Sequence, residues 1–257
     1  MRYPDDYREF LKTHVWKTLS ESGFVTDESK GISRPPVEKP VPEGAMLLDL
    51  VSPDDFTVGN LSVREVIRKR RSRRRFTDEP LSLEEISYLL WATQGVSGTF
   101  QLKNGIVTLR TVPSGGSLHP FETYLCVNRV QGLEAGLYRY LPLEHKLLFL
   151  RAEEDLAARV AKAAAGQRFV MRAAVVFIWT AVPYRTEWRY GPASHKIIAM
   201  DAGHMCQNLY IAAESIGAGT CAVGAYFQDE VDAILGVDGN EEFTIYLAPV
   251  GKIAEKD

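Results

Sequence analysis

The sequence predicts an α+β fold in which a mixed or antiparallel central sheet is flanked by helices. Three observations carry that prediction. Helical and strand-like segments alternate from about residue 62 onward without a strict β-α-β rhythm. Residues 137–141 and 145–150 read as the two arms of a hairpin. Residues 173–179, Ala-Ala-Val-Val-Phe-Ile-Trp, lack alternation, the pattern of a strand buried on both faces. With 257 residues, 46% of them hydrophobic and 25% charged, the chain has enough apolar content for a real core and lies in the globular range.

The elements follow in order. Residues 1–60 differ from the rest and are predicted to form an N-terminal extended arm, with 61–257 as the main domain. A polar amphipathic stretch over 6–19 precedes a segment holding Pro35, Pro36, Pro40 and Pro42, where fixed φ and missing donors exclude helix and central strand. Apolar Met46, Leu47, Leu48, Leu50 and Val51 come next, so the arm is expected to wrap across a surface, a partner subunit's among the candidates. Val63, Val66 and Ile67 stand at helical spacing and lead into a basic run. Ser82 and Glu85 fit a capping box, Leu81 and Ile86 a hydrophobic staple, and Pro80 blocks helix before them. That helix should run to about Gln94 and stop at Gly95. A strand is predicted over 123–130, a helix over 153–165 ending at Gly166, a long helix over 195–215, a short one over 229–235, and a last strand over 242–248.

Composition excludes several classes. Cys126, Cys206 and Cys221 are far apart, with no C-x-x-C pair, which argues against a disulfide scaffold or zinc module. His14, His119, His145, His195 and His204 form no H-E-x-x-H, and no metal site is predicted; His204 is expected to be packed and Cys221 inert. There is no G-x-S-x-G elbow and no Walker loop. The start of the chain lacks a signal pattern, and the longest apolar run, 173–182, falls short of the roughly 18 residues of a membrane helix. A soluble cytoplasmic protein with no membrane partner is the expectation.

Three segments suggest chemistry. Arg68, Lys69, Arg70, Arg71, Ser72, Arg73, Arg74 and Arg75 form a basic run in a chain of net charge −3. It suits nucleic acid, a solvated helix end, or a phosphate-bearing ligand held by guanidinium forks and the Ser72 hydroxyl. Pro113, Ser114, Gly115, Gly116 and Ser117 make a loop that is either a tight turn or a place where backbone approaches a ligand. Residues 217–222 match G-x-G-x-x-A by letters, yet they follow a helix instead of opening one, which rules out a dinucleotide fingerprint.

Taken in order, these segments resemble the FMN-dependent nitroreductase superfamily from about Ser62 to Lys252. Its R-R-S-x-R segment appears as Arg70 to Arg74, followed by Phe76, Asp78 and Pro80, and its P-S-[AG]-G loop as Pro113 to Gly116. Its D-A-G-H-x-x-Q-N-L helix begins at Asp201, its G-x-G-T-C-x-x-G-A segment ends at Gly224 and Ala225, and its P-V-G-[KR] ends at Lys252. The long leader, the loop up to Pro120, and Trp188 to Gly191 look most like the branch of azoline oxidases that act on thiazole/oxazole-modified peptides.

The resemblance implies a homodimer with FMN in two interfacial clefts. Arg70, Arg71 and Ser72 would hold the phosphate and ribityl chain, with Lys252 beside them, and Arg74 would approach the N1 and O2 edge of the ring. Pro113, Ser114, Gly115, Gly116 and Ser117 would line the cofactor from the partner, and Gly224 and Ala225 would pass near N5. The implied activity is ping-pong hydride transfer from NADH or NADPH to a small nitroaromatic or quinone-like acceptor. The alternatives are an azoline dehydrogenase acting on a modified peptide, a dehalogenating or flavin-fragmenting relative, and a non-enzymatic nucleic-acid or anion binder. The azoline oxidases use a Lys-Tyr pair as general base, and Arg189-Tyr190 stands there. Arginine stays protonated, which leaves Tyr190 as the candidate catalytic group.

Overall fold

A computed structural model describes residues 6–254. Helices α1 (Asp6–Glu9) and α2 (His14–Ser22) open the described chain, and α2 ends on Gly23 at φ 67°, the left-handed conformation that favours glycine. Helix α2 is amphipathic yet buries none of its side chains. The proline-rich stretch after it is irregular and leads to the short strand β1 (Leu47–Asp49).

Helix α3 (Val63–Lys69) starts on Ser62, whose hydroxyl accepts the Glu65 N–H. Only its Val66 is buried, while Val63 and Ile67 face outward. Helix α4 (Leu83–Gln94) has the capping box: Ser82 Oγ accepts the Glu85 N–H at 3.1 Å, and Glu85 Oε2 accepts the Ser82 N–H at 2.9 Å. A separate hairpin then stands out from the body, β2 (Val96–Leu102) and β3 (Gly105–Arg110), paired with each other and with no other strand. The sequence reading does not anticipate it.

Strands β4 (Phe121–Val127), β5 (Gly136–Leu141) and β6 (Lys146–Ala152) are followed by helices α5 (Leu156–Ala163) and α6 (Arg168–Met171). Then come β7 (Val175–Ala181), α7 (Tyr184–Tyr190), the long α8 (Ser194–Ser215), β8 (Ala218–Thr220), α9 (Gln228–Leu235) and β9 (Phe243–Lys252). The seven-stranded sheet has the order β1-β6-β5-β4-β7-β9-β8, and every neighbouring pair is antiparallel. Strand β4 starts two residues earlier than the sequence suggests and ends at Val127, where the N–H groups of Asn128 and Arg129 turn to the Ala174 carbonyl.

All seven residues of both β4 and β7 are buried, as a sheet covered on both faces requires. Helices α4 and α8 cover one face through Leu89, Leu90, Met205 and Leu209 against Leu125, Phe177 and Trp179. Helices α5 and α9 cover the other, with Val160 and Val231 against Tyr124, Ile178 and Leu247. Each such side chain contributes about 1.5–3 kcal/mol when taken out of water.

The arm is fastened to the sheet by buried charge. Lys39 pairs with Glu242, whose Oε1 also accepts from Tyr124 Oη at 3.0 Å and Thr180 Oγ1 at 2.6 Å. The Lys39 N–H reaches Glu122, which forms a buried ion pair with Arg185. Arg110 and Arg139 donate to the carbonyls of Val37 and Pro40, both at 2.9 Å. Among the described residues no helix is long and apolar enough to cross a membrane.

Candidate functional site

The basic run is shaped by the end of α3. Arg70 leaves the helix with extended ψ 130°, its N–H bonded to Val66 O, and the chain then pairs beside β8 through a parallel bridge from Ser72 to Thr220. Extended backbone alternates its side chains, so Arg73 turns inward, 3.7 Å from buried Glu214. A Cβ on Gly219 would lie 2.5 Å from Arg73 Cγ, which is why a glycine stands there. Ser72 and Arg74 turn outward. Arg70 lies 5.3 Å over the Tyr210 ring and Arg74 5.8 Å over Phe169, while Arg71 folds back to the carbonyls of Arg68 and Arg70.

Tyr210 of α8 ties this run to the loop after β8. Its hydroxyl lies 3.1 Å from Ser72 Oγ and accepts the Ala222 N–H at 2.9 Å. Gly224 and Ala225 follow, exposed, with Ala225 O held by Gln167 Nε2 at 3.1 Å. A Cβ on Gly224 would meet only the Tyr246 ring, at 4.0 Å, so open space lies over that backbone. Lys252 is placed behind the run: its ammonium pairs with Glu85 and donates to Ile216 O at 3.1 Å.

The loop 113–117 forms a second cluster. Asp201 of α8 accepts the Ser114 hydroxyl at 2.6 Å and the Gly115 N–H at 3.1 Å, and Ser114 Oγ in turn accepts the His119 N–H. Burial pushes the Asp201 carboxyl above its usual range, against these hydrogen bonds. A Cβ on Gly115 would lie 2.5 Å from Ile197, and one on Gly116 2.8 Å from the Tyr190 hydroxyl; Gly116 also has φ 63°. Pro113 is exposed, and the Ser117 carbonyl accepts from Arg34 at 2.6 Å. Tyr190 thus belongs with this loop, and the arm covers both. Trp16 meets Tyr190 edge-on at 6.0 Å, and Glu28 pairs with Arg189 at 3.0 Å.

The two clusters sit on opposite sides of one helix. Asp201 and Tyr210 are nine residues apart, about 14 Å along α8 and about 900° around it, a half-turn past two full turns. One chain therefore brings Arg70, Ser72, Arg74, Gly224 and Ala225 together, and holds the loop 113–117 with Tyr190 elsewhere.

These segments match a known family over residues 67–252, the nitroreductase family. A nitroreductase-family protein of Methanocaldococcus jannaschii is 35% identical over 198 residues, 77% of this chain and 94% of that protein. The chain belongs to the nitroreductase family. A second relative in sequence is the trifolitoxin-processing protein of Rhizobium leguminosarum bv. trifolii, 28% identical over 62% of this chain and 44% of its own length. Among solved structures, a nitroreductase-family chain of Anabaena variabilis superposes with TM-score 0.68 at 29% identity, covering 82% of this chain and 42% of that one. A chain of the Escherichia coli microcin synthetase complex superposes over 99% of both chains with TM-score 0.59 at 18% identity. The NADPH:FMN oxidoreductase of Vibrio harveyi superposes over 75% of this chain and 69% of its own with TM-score 0.52 at 19% identity. At these two identities the likeness is one of fold: this is the nitroreductase fold of an oxidoreductase family.

The structure adds residues that sequence reading passes over. Asp201 is visible only as part of the helix motif, whereas its carboxylate organises the loop. Tyr210 has no motif letter, and the side chains of Glu28 and Arg34 bond groups more than 80 residues away. His204 is exposed rather than packed, 3.8 Å from Asp201 Oδ1, which corrects the expectation for it. All three cysteines are buried, and burial pushes the Cys206 thiol up to about 12, so no reactive thiolate forms there. Among the described residues no three His, Cys, Asp or Glu side chains gather as a metal site.

Proposed function

We propose that the protein is a homodimeric FMN-dependent oxidoreductase that uses NADH or NADPH and reduces a small organic acceptor such as a nitroaromatic or quinone. The observation that carries this is the pairing of the basic run with the open backbone at Gly224 and Ala225, joined through Tyr210. The donor set fits the cofactor. Arg70 and Arg74 have no carboxylate partner among the described residues and lie over aromatic rings, so their charge is free for an anion. Among the described residues the N–H groups of Gly224 and Ala225 bond no carbonyl, which leaves them free to donate to a flavin nitrogen.

In this reading Arg70, Arg71 and Ser72 hold the phosphate and ribityl chain, Arg74 faces the pyrimidine edge, and Gly224 and Ala225 pass N5. Lys252 contributes by fixing Glu85, since its ammonium is already bonded there. When bound, FMN supplies two-electron hydride chemistry at N5, taken from the nicotinamide and delivered to the acceptor in ping-pong order. Pro113, Ser114, Gly115, Gly116 and Ser117 lie on the far side of α8 from the basic run, which supports their lining the site of a partner subunit. Tyr190 stands at that loop and would orient or protonate the acceptor. Exposed Met200 on α8 and Val63 and Ile67 on α3 are the apolar surface such a partner would cover. The division into an arm over 1–60 and a domain over 61–257, in the cytoplasm, belongs to the same proposal, with the described part of the arm, from residue 6, as an accessory segment folded onto the domain.

A second reading is favoured by the trifolitoxin-processing relative and the full-length likeness to a microcin synthetase chain: an azoline dehydrogenase acting on a modified peptide. Arg189 weighs against it, because a guanidinium held by Glu28 cannot take the proton. A nucleic-acid reading is weaker still, since Arg73 turns inward to buried Glu214 and the reading gives the other matched segments no role.

The test is the visible spectrum of the purified protein, recorded without oxygen before and after NADH or NADPH. A bound flavin spectrum that bleaches supports the oxidoreductase. A flavin spectrum that stays coloured shifts the assignment to a dehydrogenase reduced by its own substrate. A colourless protein that does not take up FMN removes the cofactor from the account.

A further inference from the structure

A cavity of about 350 Å3 opens between the arm and the body, on residues that the flavin reading does not use. The arm supplies Phe24 and Asp27, α7 supplies Tyr184 and Glu187, and the turn into α8 with its first residues supplies Pro192 and His195. Gly191 makes room for the aromatic wall: it has φ 49°, and a Cβ there would lie 2.5 Å from the Phe24 ring. Two hydrogen bonds of 2.9 Å pin the arm beside the cavity, from the Glu28 N–H to Trp188 O and from Trp188 Nε1 to Ile32 O. The walls are therefore held in place by bonds that lie outside the cavity itself.

The lining carries two carboxylates and neither a lysine nor an arginine. Lys30, outside the lining, donates to Asp27 Oδ1 at 2.9 Å, and the Tyr184 hydroxyl donates to Asp27 Oδ2 at 3.0 Å. Both hold the Asp27 carboxyl below its usual range, so it is ionised at neutral pH. Glu187 is bonded through one oxygen only among the described residues, its Oε1, to which His195 Nε2 donates at 2.9 Å. Neighbouring charges are engaged elsewhere, Glu28 by Arg189 and Lys196 by the Leu11 carbonyl. The rings of Phe24 and Tyr184 add faces that attract a cation. Asp27, Glu187 and His195 do not gather as a metal site, so the lining suits an organic cation rather than a metal ion.

We propose that this cavity binds an organic cation, an ammonium or guanidinium group on an apolar stem, with the charge at Asp27 and Glu187 and the stem along Phe24, Tyr184 and Pro192. Pockets for small molecules begin at about 300 Å3, so the volume suits a ligand the size of one basic side chain. Lys30, already on Asp27, shows the kind of head group these carboxylates accept and competes with it. The cavity is partly open to water, which screens the charge and keeps the preference modest. A free amine and the basic side chain of a peptide share this chemistry. The site stands apart from the proposed flavin site and does not depend on it.

The test is a ligand-observed NMR titration of the purified full-length protein, at neutral pH, with pentylamine and with pentan-1-ol, which match in size and differ in charge. Pentylamine is expected to bind at least about fivefold more tightly. Glu187→Gln should bring the two ligands together. Lys30→Met should tighten pentylamine by about two- to fivefold and leave pentan-1-ol unchanged, because it removes the competing ammonium. Lys30 is exposed, so its variant tests the site even where Glu187→Gln loosens the arm. N-acetyl-lysine methylamide against N-acetyl-norleucine methylamide, titrated in the same way, presents the head group as a peptide side chain does. A preference for the cation in either pair, lowered by Glu187→Gln and raised by Lys30→Met, supports the site and tells a free amine from a peptide as its source. Equal binding within both pairs, or a preference that either variant leaves unchanged, overturns it. Binding is read with or without FMN on the protein, so the outcome is independent of the flavin assignment.

Discussion

Replacing Tyr210 by phenylalanine removes one oxygen atom from the junction between the two walls of the proposed flavin site. The ring remains under Arg70, so packing and the cation contact are kept. Two hydrogen bonds are lost, one of 3.1 Å to Ser72 Oγ and one of 2.9 Å from the Ala222 N–H. Each contributes about 0.5–1.5 kcal/mol net. The walls do not separate without the hydroxyl, because Ser72 still pairs with Thr220 and Arg73 still bonds Thr220 O. Ser72 and Ala222 are freed to move relative to each other, and the cofactor must then order them on binding. FMN affinity should fall by about 1–2 kcal/mol, or about 5- to 30-fold in Kd. The melting temperature of the apoprotein should drop by only about 2–4 °C per kcal/mol. Quenching of FMN fluorescence by titrated apoprotein gives the first number, and a melt followed by circular dichroism the second. An unchanged Kd, or a melt lowered by more than about 15 °C, would refute the role of Tyr210 as a tie between the walls and make it a core residue instead.

Three further outcomes follow from the described geometry. His119 is buried, and burial with Arg110 and Arg34 nearby lowers its pKa to about 3, so the unfolded chain binds a proton near pH 6.5 that the folded one refuses. Its contribution is complete above pH 6.5 and is lost as pH falls toward 3, by about 2 kcal/mol at pH 5; His119→Gln should flatten that part of a urea-denaturation pH profile. Glu122→Gln leaves the Arg185 guanidinium buried without a counter-charge and should cost about 3–5 kcal/mol, read as a lowered urea midpoint. Tyr190→Phe at normal FMN content should lose most acceptor turnover while nicotinamide-driven bleaching stays intact; unchanged turnover removes Tyr190 from the catalytic account.

Local rules made much of the framework legible. The α4 capping box, the β5–β6 hairpin and the doubly buried β7 each announce themselves within a dozen residues, where capping, turn and burial physics act. The β2–β3 hairpin does not, although Asn104-Gly105 is a turn signal, because its strands hold Gly98, Ser97 and Thr99 and leave Phe100 and Leu102 exposed. For the site, residues in sequence motifs could be named, but not their grouping. That Arg74 and Ala225 approach the same α5–α6 turn, while Ser114 lies across α8 from them, depends on the strand order and on where along the helix each loop docks. Glu28 lies in a turn of the arm after α2 and Arg34 directly before its prolines. Nothing local distinguishes them from solvated side chains until the arm is laid on the sheet and their partners appear.

Strand β9 is the last element of the sheet in chain order, yet it lies between β7 and β8 and makes the whole outer row of hydrogen bonds to β7. During synthesis, β7 has its β4 neighbour early, but its other edge, Val175–Ala181, stays bare until about 70 more residues have left the ribosome. That edge is apolar and buried in the finished sheet, the kind that recruits a strand from another chain if left open. The α8 helix is made in this interval and can lie over the open face before β9 arrives. Efficient production of the protein therefore depends on how long that gap lasts, and slowing translation between residues 182 and 243 should raise the aggregated fraction without altering the folded product.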